Sequence, residues 1–153
     1  MHLVRVFKNT AVRASSSSAK VSDRVHNVAV IGAGQMGSGI AQSAAHGGMH
    51  VTLIDPDQAS LEIAEEKITK YVRSVLKKKY PDWPEAIEDF HKRVMGRMHF
   101  STDMEAGVKK AEIVQESAPE KLEVKQVLYK ELDAIKVLKI REKSARIVVF
   151  KYF

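Results

Sequence analysis

Six residues, Gly32-Ala33-Gly34-Gln35-Met36-Gly37, follow directly on the apolar run Val28-Ala29-Val30-Ile31, and no other segment constrains this chain as much. A short apolar run passing straight into glycine reads as a buried parallel strand. In the loop behind it, Gly32 suits a tight turn and Gly34 lets backbone approach a pyrophosphate. Gly37 lets the next helix pack on the strand. From Gln35 to about His46 the sequence turns helical, with Met36, Ile40, Ala44 and Ala45 expected along one side. The first amides of such a helix have no partner within it and bind phosphate without a cation. A second strand, His50-Val51-Thr52-Leu53-Ile54, ends in Asp55, 21 positions after Gly34. That spacing fits the acid that accepts hydrogen bonds from an adenosine ribose and repels a 2′-phosphate, which favours NAD. Taken alone, Asp55 also fits a helix cap or turn before Pro56.

The rest of the chain extends this β-α-β unit. Residues Gln58 to Lys79 read as one long helix, with Leu61, Ile63, Ala64, Ile68, Tyr71, Val72 and Val75 on its apolar face. Pro81-Asp82-Trp83-Pro84 interrupts it, and residues 85–97 resume a helical pattern through Ala86, Ile87, Phe90, Val94 and Met95. The expected result is a helical hairpin projecting from the sheet between the second and third strands. Met98–Ser101 and Ile113–Ser117 are the third and fourth strand candidates, with a short helix at Met104–Lys110 between them. Residues 120–135 form a further periodic helix, with Leu122, Val127, Leu128 and Leu132 as its apolar face. The expected class is α/β: an incomplete doubly wound Rossmann sheet, parallel, with a helical-hairpin insertion.

Composition excludes other classes. The net charge of +6 invites a nucleic-acid reading, but the charge sits at the ends. Of 25 basic residues, four lie in 1–20 and six in 136–153, where Glu142 is the one acid; residues 21–135 keep 15 basic and 18 acidic residues, a net of −3. A mildly acidic body argues against a nucleic-acid partner. No apolar run approaches the roughly 20 residues of a membrane span. The absence of cysteine excludes a disulfide framework, a thiolate nucleophile and a cysteine-ligated zinc site. Residues 1–22 carry spaced Arg and Lys, four consecutive serines and no acid, the composition of a mitochondrial transit peptide; a solvated tail is the alternative.

Lys77-Lys78-Lys79 closes the first hairpin helix, where cations complement the helix dipole. Capping and solubility account for them; a platform for a phosphate-bearing substrate is the sharper reading.

Together, GAGQMGSGIAQ, the Asp that ends HVTLID, the lysine-closed hairpin and QESAPEKLEVKQVLYKELD resemble the short-chain L-3-hydroxyacyl-CoA dehydrogenases of mitochondrial fatty-acid oxidation. The resemblance covers about residues 26–135, the first part of the family's length. It implies cofactor contacts from Glu120 and Lys125 besides the loop residues 32–37 and Asp55, and CoA contacts from Tyr71 and Lys78. Tyr71 departs from the small hydroxyl residue usual in relatives. It further implies a mitochondrial-matrix enzyme that oxidises L-3-hydroxyacyl-CoA to 3-ketoacyl-CoA with NAD. The family continues into a Ser/Asn-rich segment, a histidine in an H-F-F-N-P-like context, its glutamate partner and an all-helical second domain; none is present in these residues. The six histidines lie outside any such context, and no catalytic residue is assigned.

Residues 136–153 depart from the family pattern, and the chain as written is expected to be inactive and not to form the family dimer. This tail reads either as an altered C-terminus or as a source of a substitute strand, Arg146–Phe150, at the sheet edge. Two other functions stay open: a non-catalytic NAD-binding or interaction module, and a lambda-crystallin-like dehydrogenase of a non-CoA hydroxy acid.

Overall fold

A computed structural model describes residues 25–139 and 146–147, with side-chain surroundings for 25–135. The segment 1–22 and the rest of the tail lie outside the described residues. The expected elements appear in order: β1 (Asn27–Ile31), α1 (Gln35–His46), β2 (His50–Ile54), α2 (Gln58–Lys79), α3 (Pro84–Met95), β3 (Met98–Ser101), α4 (Met104–Lys109), β4 (Ile113–Glu116), α5 (Leu122–Lys139) and β5 (Arg146–Ile147). The strands form one sheet in the order β3-β2-β1-β4-β5, every described pairing parallel. The chain steps outward from β1 to β2 and β3, then returns to lay β4 on the other side of β1. That reversal opens a crevice beyond the carboxyl ends of β1 and β4, where open α/β sheets bind ligands.

Alternation along each strand splits the core into two layers. Val28, Val30, Val51 and Leu53 face α1, α2 and α3, while Ala29, Ile31, Ile54 and Val114 face α4 and α5. Both sheet faces are covered, which is why these strands read as continuous apolar runs. Each fully buried Leu or Ile, such as Leu53, Ile54, Leu61 and Ile68, stabilises the fold by about 1.5–3 kcal/mol relative to an exposed position.

The helical faces required correction. On α2 the buried row is Leu61, Ala64, Ile68, Val72 and Leu76, spaced three or four apart. Ile63, Tyr71 and Val75, expected on that face, are exposed. Ile63 points away from the buried row, whereas Tyr71 and Val75 lie along its margin and stay exposed where α2 packs against α1, α3 and β3. The hairpin therefore completes a core layer instead of projecting clear of the sheet. Met36 on α1 is likewise exposed; Gly37, Ser38, Ala41 and Ala45 make the buried face. On α5 the buried residues among those described are Leu128, Leu132 and Ile135, and Leu122 and Val127 face outward.

Helix α2 starts at Asp57, whose carboxylate accepts hydrogen bonds from the Ala59 and Ser60 amides, both at 3.2 Å, and from Ser60 Oγ at 2.7 Å. Helix α5 continues to Lys139, past the expected boundary at 135. Of the anticipated edge strand, Arg146 and Ile147 are described; they pair with Ile113 and Val114 of β4.

Candidate dinucleotide site

The glycine loop leaves β1 through Gly32, whose φ of +104° suits a residue without Cβ. The Gly32 amide donates to Ile54 O at 2.7 Å, so the loop turns directly across the end of β2. A Cβ on Gly32 would lie 2.6 Å from Ser117 O, so the turn after β4 presses on the same point. A Cβ on Gly37 would lie 1.8 Å from Gly32 O, which is why the first turn of α1 tolerates only glycine there. Ser38 Oγ donates to Ala33 O at 2.9 Å and ties the loop back to its own helix.

Gly34 differs. A Cβ there would meet nothing within 4 Å, so nothing in the described chain calls for glycine. Gly34 is the extended N-cap of α1 and offers no side chain to the amides of the first turn. An exposed glycine in front of uncapped, converging N–H groups is a cradle for a phosphate approaching close to the backbone. Residues 32–37 thus fit the pyrophosphate of a dinucleotide.

Asp55 stands beside this cradle. Its Oδ2 accepts the Ala33 amide at 2.7 Å and its Oδ1 the Asp57 amide at 3.0 Å. The carboxylate is thereby fixed at the end of β2, with lone pairs left for two more donors. Asp57, not Asp55, is the N-cap of α2, but the turn alternative holds: Asp55 Oδ1 closes an Asx turn across Pro56 while its Oδ2 faces the loop.

The carboxyl end of β4 carries a second polar group. Lys125 Nζ pairs with Glu120 Oε1 in a very short contact and lies 3.4 Å from Glu116 Oε2. The hydrogen bond to Glu120 raises the Lys125 pKa; burial opposes it and the Glu116 charge adds to it. Glu116 was missed from sequence. It is buried, and its Oε1 accepts the Ala118 amide at 2.6 Å and its Oε2 the Tyr129 hydroxyl at 3.3 Å. Burial, then the Glu116 charge, pushes the Tyr129 phenol up. The available signal was a charged residue at the end of a buried strand, which needs a partner.

The structure brings residues 32–37 and Asp55 together and joins Glu120 to Lys125. Tyr71 and Lys78 lie apart from them on α2, both exposed. Seven residues separate the two, two helical turns, so they share one face. The described histidines lie outside the site segments: His26, His46, His50 and His99 are exposed, and His91 is buried in α3. Neither His91 ring nitrogen has a hydrogen-bond partner among the described residues; Glu88 Oε1 lies 3.7 Å from Nδ1. A cleft of about 300 Å³ lies at the opposite, amino edge of the strands, lined by Asn27, His50, His99 and Lys110 among others, and touches none of the site residues. Among the described residues no His, Asp or Glu cluster fits a metal ion, and no helix is long and apolar enough to cross a membrane.

Residues 27–139 match the family described as 3-hydroxyacyl-CoA dehydrogenase, NAD binding domain. The chain belongs to that family. Its cofactor is therefore NAD. A probable 3-hydroxyacyl-CoA dehydrogenase of Caenorhabditis elegans is 38% identical over 123 residues, covering 80% of this chain and 40% of the relative. The mitochondrial hydroxyacyl-coenzyme A dehydrogenase of Sus scrofa is 38% identical over 122 residues, 78% of this chain and 39% of its own. Among solved structures, the (S)-3-hydroxybutyryl-CoA dehydrogenase of Ralstonia eutropha superposes with a TM-score of 0.69 at 25% identity, over 82% of this chain and 41% of that one. Mycobacterium tuberculosis FadB2 superposes with a TM-score of 0.63 at 31% identity, over 74% and 38%. The chain spans about two fifths of the length of the curated relatives it matches.

Proposed function

We propose that this 3-hydroxyacyl-CoA dehydrogenase family chain supplies the cofactor-holding part of an NAD-dependent oxidation of L-3-hydroxyacyl-CoA to 3-ketoacyl-CoA. Bound NAD accepts the hydride in that chemistry; this chain's residues hold the dinucleotide. The observation that carries the reading is the hydrogen bond from the Ala33 amide to Asp55, beside an uncapped helix N-terminus. In this reading the loop 32–37 takes the pyrophosphate and Asp55 the adenosine ribose. Glu120 accepts from the cofactor and Lys125 donates to it. Tyr71 and Lys78, on one exposed face of α2, receive the CoA part of the substrate. The mitochondrial names of relatives support a mitochondrial location, and the composition of residues 1–22 supports delivery to the matrix.

A calorimetric NADH titration of the chain tests the first step, with an acetoacetyl-CoA and NADH assay for turnover. Saturable NADH binding with turnover supports the dehydrogenase. Binding without turnover supports the cofactor-holding role with no catalysis in this chain alone, and no binding refutes the reading.

A further inference from the structure

We propose that Glu116 is a positioning residue: its buried carboxylate holds the Lys125 ammonium beyond the carboxyl end of β4, aimed to donate to a ribose hydroxyl of the dinucleotide. This rests on the NAD-binding role of Lys125 proposed above.

The two carboxylates around Lys125 differ in what they are free to do. Glu120 is 79% exposed and loses little by turning into water. Glu116 is 5% exposed, and its two oxygens also hold the Ala118 amide and the Tyr129 hydroxyl, so rotating it would strand both donors. A buried carboxylate left without its cation is costly, so Glu116 retains Lys125 whichever way Glu120 turns. Lys125 and Tyr129 are four apart on α5 and reach one carboxylate from a single helix face. An ammonium carries three donors, and the two carboxylates take two of them. The third is available to a ligand, and Glu120 releases a second when a hydroxyl arrives. Glu116 also fixes the Ser117–Ala118 turn against which Gly32 packs. One carboxylate therefore sets both the lysine and the floor of the glycine loop.

The test uses the whole chain and four variants: Glu116→Gln, Lys125→Met, their combination, and Tyr129→Phe. With no cofactor present, the Lys125 ammonium followed by NMR titrates lower in Glu116→Gln than in the unmutated chain, while the circular-dichroism spectrum and urea midpoint are unchanged, which separates lost charge from lost packing. NADH affinity falls about tenfold in Glu116→Gln and in Lys125→Met, and the combination is no worse than either. Tyr129→Phe, which keeps the charge, lowers affinity by about threefold in the unmutated background and not at all in Lys125→Met. Glu116→Gln binding as tightly as the unmutated chain while Lys125→Met is weakened overturns the proposal and leaves the NAD reading standing. Losses that multiply in the combined variant also overturn it. No NADH binding by the unmutated chain overturns the NAD reading, and this role with it.

Discussion

The Ala33 amide donates to Asp55 Oδ2 at 2.7 Å, which joins the middle of the glycine loop to the end of β2. Asp55 is therefore a strut for the loop as well as an acceptor for a ribose. Asp55→Ala is expected to weaken NADH binding by about 10- to 100-fold, the range of a charge-assisted hydrogen bond of about 1.5–3 kcal/mol. NADPH should gain nothing, because the loop loses its anchor when the repelling charge goes. Calorimetry with both cofactors checks this. An Asp55→Ala chain that binds NADPH as tightly as the unmutated chain binds NADH would reduce Asp55 to a phosphate-repelling charge.

Two glycines on one helix should respond in opposite ways. At Gly37 a Cβ would overlap Gly32 O, so Gly37→Ala is expected to destabilise by about 1–3 kcal/mol or more and to displace the loop. At Gly39 a Cβ meets nothing within 4 Å, so Gly39→Ala is expected to stabilise by about 0.5–1 kcal/mol through helix propensity. Urea unfolding of both variants measures the contrast; equal effects would contradict the packing at Gly37.

The corrected face of α2 makes a similar pair. Ile68 is 2% exposed and Ile63 is 51% exposed. Truncating Ile68 to Ala should cost about 2–5 kcal/mol, and truncating Ile63 within about 0.5 kcal/mol of nothing. A large loss at Ile63 in denaturant titration would restore the broader face read from the sequence.

The start of α2 should be sensitive to acid. Hydrogen bonds from the Ser60 hydroxyl and the Ala59 amide hold the Asp57 carboxyl below its ordinary value of 3.8. A depressed folded-state pKa adds stability that is complete above the ordinary value and is lost as pH falls through the folded one. The gap in thermal midpoint between the unmutated chain and Asp57→Ala should therefore be widest near neutral pH and should close in strong acid. A gap that stays constant as pH falls from neutral through the acid range would mean that the charge on Asp57 contributes nothing.

Where one local rule governs, the sequence is readable. Helix α2 runs from Gln58 to Lys79 and β2 from His50 to Ile54, as the apolar patterns and the Pro81–Pro84 breaker predict, because local chemistry sets those ends. The glycine loop was legible through its spacing, although only Gly37 answers a steric demand inside the loop; Gly32 answers Ser117 as well, and Gly34 meets nothing. Helix faces were less so. Ile63, Tyr71, Val75 and Val127 are apolar at helical spacing, yet which row turns inward depends on where α1, β3 and the sheet stand. Glu116 was harder still: its partners Lys125 and Tyr129 lie one helix later, and nothing in QESAPE states that the carboxylate points inward.

The glycine fingerprint is also less self-contained than a short motif suggests. β1 is clamped on one side by β2 and on the other by β4, and the loop beyond it rests on Ser117. The first turn of the chain into β1 is tied at His26 to Glu112, 86 residues away. Contacts of such long range cost chain entropy before they return any stability, so they form late in folding. A peptide ending after β2 would contain every residue of the fingerprint and lack half of what gives it shape. The loop should become competent for phosphate only when β4 docks, which makes a ligand that binds there a reporter of the last step of folding.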